Sequence, residues 1–170
     1  MRAALNALYG AAAWLAALMM IGVLAMVLVG ILGRQFSFYV PGTDAYAGYL
    51  MAGTGFMALA HTFRRNEHIR VTLLLQALRG GARRALEVWS LVIAAGLAGV
   101  MAYYSARLVW QSHLFHDIST SNDATPLWIP QLGMAAGIII LLIALVDELV
   151  LELSGRRVPP VAPAHGVRSE

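Results

Sequence analysis

Apolar residues fill four long stretches of the chain, Leu8 to Leu32, Ala45 to Phe63, Leu86 to Trp110 and Trp128 to Val146, and polar residues collect between them. A helix rising about 1.5 Å per residue needs roughly this length to cross the ~30 Å hydrocarbon layer of a bilayer. None of the stretches has a charged residue near its middle. The pattern predicts an all-α integral membrane bundle of four transmembrane helices over about residues 8–32, 45–63, 86–110 and 128–151. They form one membrane domain, residues 1–155. The remaining segment, residues 156–170, carries three prolines and Gly166 and is expected to be a disordered tail. The first stretch is too long for the hydrophobic region of a signal peptide and lacks a small-x-small cleavage site, so it is read as a retained helix.

Local signals between the stretches refine the picture. Pro41, Gly42, Thr43 and Asp44 form a helix start, with Thr43 or Asp44 able to cap free amides. Phe36, Phe38 and Tyr39 suit the headgroup level. Between the second and third stretches, Val71, Leu73, Leu74, Leu75 and Leu78 alternate with polar residues over too short a run to span. This predicts a short amphipathic helix lying in the membrane interface, ended by Gly80 and Gly81. The outer segment Gln111 to Leu127 is the least regular of the chain, and Trp128 and Pro130 open the fourth helix, where a first-turn proline loses no hydrogen bond.

Small residues recur at helical spacing on three of the helices. They are Gly48, Ala52 and Gly55 on the second, Ala95 and Gly99 on the third, and Gly133 and Gly137 on the fourth. Such stripes let two backbones approach closely, either inside the bundle or against a larger membrane partner. Spacing alone does not choose between the two.

Charge orients the bundle. All twelve basic residues are arginines, and ten of them lie before the first stretch, between the second and third, or after the fourth. Only Arg34 and Arg107 fall on the other side. The positive-inside rule therefore puts both termini in the cytoplasm, provided that all four stretches cross. A pI near 9.7 would suggest nucleic acid in a soluble chain. Here the arginines flank membrane helices and face anionic lipid, so no nucleic-acid partner is expected.

Candidate chemistry is sparse. A carrier needs ionisable or unwound elements near mid-bilayer, and Thr54 is the one notable polar residue there, with its hydroxyl expected to bond back to its own helix. Asp147, Glu148 and Glu152 read as boundary charges at the end of the fourth helix. A haem would need two histidines at one depth, whereas His61 and His68 sit at the inner end of the second helix and His113 and His116 at the outer end of the third. No catalytic, cofactor-binding or metal-binding residue is expected. Two readings from other classes, a small stand-alone carrier acting as a homodimer and a haem-bearing membrane anchor, are open to test by transport in liposomes and by Soret absorbance.

The run from Gly55 to Val71, with Arg64, Arg65, Asn66, Glu67, His68, Ile69 and Arg70 at its turn, resembles the signature of the small, Q-type (DctQ-like) membrane subunit of TRAP transporters. The segment from Ser119 through Pro126, Trp128 and Pro130 resembles that family's Ser-rich outer loop leading to a proline at the fourth helix. The likeness covers roughly residues 5–152. At the start of the second helix the chain departs from it, with Gly42, Thr43 and a single Asp44 where many relatives carry a Trp and paired acids. The resemblance implies a scaffold subunit, not an enzyme, in a bacterial inner membrane. Its partners would be a large membrane subunit that imports organic acids with sodium and a periplasmic substrate-binding protein that delivers them. Sodium is then expected on the large subunit. Arg64, Arg65, His68, Ile69 and Arg70 would form a turn against lipid headgroups.

Overall fold

The computed structural model describes residues 2–64, 81–121 and 123–154. It contains four helices: α1, Arg2–Gln35; α2, Thr43–Arg64; α3, Gly81–Leu114; and α4, Trp128–Leu153. Each is longer than its apolar stretch, because helical hydrogen bonding continues into polar flanks that the hydropathy pattern leaves out. Arg83 and Glu87, an ion pair at 3.2 Å one turn apart, show this at the start of α3. The predicted interfacial helix, with Arg65, His68, Ile69 and Arg70 before it, and the tail 156–170 lie outside the described residues.

Three helices, α1, α3 and α4, are long and apolar enough to cross a membrane. The fourth expected crossing, α2, falls short in hydropathy. Gly, Thr, Tyr and His take many of its positions where the other helices have Leu, Ile and Val.

The bundle is open. Helix α1 packs along α2, α2 along α4, and α4 along α3, while α1 only grazes α4. The helices therefore form a row in the order α1, α2, α4, α3. Paired positions give the directions. Gly30 faces Thr43, Gly22 faces Leu50 and Met19 faces Gly53, so α1 and α2 are antiparallel. Gly133 faces Gly53 and Gly137 faces Phe56, so α2 and α4 run parallel. Gly99 near Leu142, with the Arg84–Glu152 pair, makes α3 antiparallel to α4.

What lies between the helices is thin. Among the described residues, seven of the twelve buried apolar ones are alanines, namely Ala12, Ala16, Ala60, Ala98, Ala102, Ala135 and Ala144, whereas Trp14, Leu18, Ile21, Leu97 and Trp110 point outward. A water-soluble bundle would reverse this. In lipid no solvent drives large side chains inward, so close backbone contact through small residues holds helices together.

Candidate functional site

The junction between the antiparallel pairs α1–α2 and α3–α4, where α2 meets α4, is built on backbone contact. A Cβ placed on Gly137 would lie 2.5 Å from the Phe56 carbonyl carbon and 2.6 Å from its oxygen, with neither atom free to yield. At Gly133 the nearest atom is the Gly53 Cα at 3.6 Å, an ordinary contact. Gly53 in turn meets the flexible end of Met19. The Thr54 hydroxyl donates to the Leu50 carbonyl at 2.8 Å, one turn back along its own helix, and also reaches the Ala16 carbonyl of α1 at 3.5 Å.

The other stripes are placed differently. Gly48, Ala52 and Gly55 all lie on the outer surface of α2 beside Met51, which is 67% exposed. Among the described residues, no atom beyond the local backbone of α2 stands within 4 Å of a Cβ on Gly48 or Gly55. On α3, Ala95 packs at the edge of a cluster formed by Leu91, Ala98 and Leu145, and Gly99 touches Leu142 at 4.0 Å. The structure thus divides the predicted small residues into an inward set and an outward set on α2.

At the end of the bundle expected from the arginine distribution to be outer, the segment expected to be least regular continues α3 to Leu114 and then folds into a hairpin, the outer hairpin. The Ser119 amide donates to the Thr125 carbonyl at 2.8 Å and the Leu127 amide to the Asp117 carbonyl at 3.0 Å, with Ile118 paired to Pro126. Hydroxyl groups tie this hairpin to the head of α2. Tyr49 donates to the Ser119 hydroxyl at 2.7 Å, and the Thr125 hydroxyl donates to that of Tyr46 at 3.1 Å. Asp123 packs against Gly42, whose φ of +81° and lack of a side chain both suit the turn; a Cβ there would lie 2.7 Å from that of Asp123. Both Asp123 carboxylate oxygens are shielded, with no well-aligned donor among the described residues. The Thr125 hydroxyl beside them is still the main cause holding the carboxyl below its ordinary value of 3.8, burial acts in the opposite sense, and Ser119 and Tyr49 add to the lowering. Trp128 opens α4 with its ring edge-on to His113 at 5.2 Å. Pro126 accepts the Ile129 amide at 3.2 Å, and Pro130 sits in the first turn as expected.

At the opposite end Arg84 reaches across to α4. Its guanidinium donates to the Glu152 and Leu153 carbonyls, each at 3.1 Å, and approaches the Glu152 carboxylate at 4.0 Å. A cation at a helix C-terminus satisfies carbonyls that have no helical partner. Glu152, read from the sequence as a boundary charge, is only 8% exposed. Arg64 is the last residue of α2.

Residues 23–155 match the family described as tripartite ATP-independent periplasmic transporters, DctQ component. The chain belongs to this family. The DctQ match takes in all of α2, α3, α4 and the outer hairpin and begins partway along α1. It makes the chain a transporter component and a membrane protein, in keeping with three helices apolar enough to span. No curated protein matches the chain. Two linkages escaped sequence reasoning: the Tyr46 and Tyr49 clasp on the outer hairpin and the Arg84 clamp on α4. Tyrosines spaced three apart at a helix head, opposite a Ser/Thr-rich loop, were the available sign of the first.

Proposed function

We propose that this chain is the scaffold subunit of its transporter, bracing a large membrane subunit that imports organic acids with sodium after delivery from a periplasmic binding protein. The observation that carries this reading is the outward stripe of α2. Gly48, Ala52 and Gly55 form a surface on which another helix can approach as closely as α4 does at Gly137. The open row supports it, since α1 and α3 at its two ends do not pack on each other and keep exposed apolar faces available to a neighbour.

In this reading α2 also crosses the bilayer. It runs beside α1 from Thr43 to Phe63, and its 22 residues span about 33 Å. Four crossings put both termini in the cytoplasm of a bacterial cell, by the arginine distribution. Arg64, Arg65 and Arg70, with His68 and Ile69, then lie at the inner headgroups and fix the depth of the scaffold while another part of the complex moves.

Co-expression with the large subunit tests the proposal. Gly48→Leu with Gly55→Leu should abolish co-purification and uptake while this chain still folds. Glutamine at positions 64, 65 and 70 should reduce transport at unchanged complex abundance. Uptake of an organic acid against a gradient by vesicles holding this chain alone would overturn the scaffold role.

A further inference from the structure

A groove of about 440 Å³ opens between the outer ends of α3 and α4, lined by Tyr104, Ser105, Arg107, Leu108, Gln111 and Met134. We infer that it holds one anionic phospholipid, whose headgroup carries no cation to offset its phosphate, with that phosphate on Arg107 and an acyl chain running along α3 below it. The inference rests on the reading of α3 as a membrane span.

The polar part of the groove suits a phosphodiester. Arg107 is exposed, and among the described residues no carboxylate pairs with it; the ion pairs of this hairpin involve Arg83 and Arg84 at the other end. Its planar fork can grip two phosphate oxygens at once. Gln111, one turn further on, and Tyr104, one turn back, place an amide and a hydroxyl on the same face as additional donors. Ser105, 7% exposed, lies in the groove floor.

Depth and the apolar part select a lipid. Tyr103, Tyr104 and Trp110 are exposed around Arg107, marking the headgroup level of a spanning helix. From Leu108 the same face continues through Tyr104 and Met101 to Leu97, all exposed apolar or aromatic residues. That strip is about 16 Å long at 1.5 Å per residue, about half of a ~30 Å hydrocarbon layer. A single unpaired cation above one leaflet's length of apolar surface is the complement of a phospholipid. The contrast with Arg84 supports this, since that arginine spends its donors on α4 carbonyls.

The test uses the full-length chain inserted in nanodiscs of equal parts phosphatidylglycerol and phosphatidylcholine, with retained lipid read by native mass spectrometry. The wild type should retain one phosphatidylglycerol in preference to phosphatidylcholine. Arg107→Gln removes charge-assisted hydrogen bonds and should lower retention roughly tenfold. Met134→Trp fills the groove with the arginine intact and should do the same, with Leu108→Trp as a substitute if that variant does not fold. Arg34→Gln, at the outer end of α1, should change nothing. Retention unaffected by Arg107→Gln or by filling the groove overturns the site. Equal loss in Arg34→Gln means general surface charge and overturns it too. Displacement by inorganic phosphate would identify a free-anion site instead, and survival of both groove variants only when the large subunit is bound would identify a protein contact. A wild-type chain that failed to insert would overturn the membrane reading and this inference with it, whereas an inserted chain without lipid preference overturns this inference alone.

Discussion

Gly133 and Gly137 on α4 and Gly48, Ala52 and Gly55 on α2 share a composition and a helical spacing, yet they meet opposite surroundings. Against Gly137 stands the backbone of Phe56, closer than any side chain would allow. Against Gly48 and Gly55, among the described residues, no other helix stands within 4 Å. The difference teaches that a small-residue stripe records a capacity for close approach, and that the capacity is already used on α4 and still open on α2. Two helices can carry the same motif for two purposes, one for building the subunit and one, on our reading, for joining it to a larger assembly.

The sharpest way to break this comparison is at Gly137. Gly137→Leu should prevent α2 and α4 from packing, and even Gly137→Ala should cost about 1–3 kcal/mol or more, as overpacking does where only backbone is available to move. Unfolding in detergent by denaturant or heat measures the loss. Gly133→Ala, by contrast, should be nearly neutral, and equal destabilisation at both positions would contradict the contact geometry.

Next in size is the outward set. Gly48→Leu with Gly55→Leu should leave the stability of the isolated chain within about 0.5 kcal/mol, as for exposed substitutions generally. Binding of the large subunit should fall by an order of magnitude or more. Loss of stability without loss of binding would exchange the roles assigned to the two stripes.

Smaller effects are expected at the two ends of the row. Arg84→Gln removes the clamp on the last carbonyls of α4. Because the arginine side chain is more than half exposed, the cost should be no more than about 1 kcal/mol, read as faster amide exchange near Ser154. The outer hairpin should respond to acid. Asp123 titrates below its ordinary value in the folded chain, so its contribution is present above pH 3.8 and is lost as pH falls through the lowered folded value. Amide exchange at Ser119 and Leu127 should accelerate on that descent in the wild type, and Asp123→Asn should flatten the response.

Much of the fold was legible before any coordinates. Long uncharged apolar stretches can only be helices in a bilayer, because every backbone group must find its partner within the segment. Four helices at nearly the expected places follow from that, as does the start of α2 near Asp44. The second helix reads as a span like the others, yet Gly, Tyr and Thr make it less apolar than its neighbours and leave it short of their hydropathy. The ends of the site were not legible. Arg84 and Glu152 are 68 residues apart, and the hydroxyls of Tyr49 and Ser119 are 70 apart. Spacing along one helix says nothing about partners so distant in the chain. The outer hairpin looked irregular because its polar residues, which suggest a solvated loop, are occupied with one another and with α2.

What the sequence determined alone is therefore the helical membrane architecture, the asymmetry of arginine along the chain and membership of the transporter-component family. Helical periodicity also says which small residues share a face. The tertiary structure decided which of those faces is filled, that the helices lie in an open row in the order α1, α2, α4, α3, and which end each clamp closes. The physical reason is that glycine and alanine carry no side chain with which to specify a partner. Only the placement of a second backbone, as at Phe56 against Gly137, shows where the permitted contact is made.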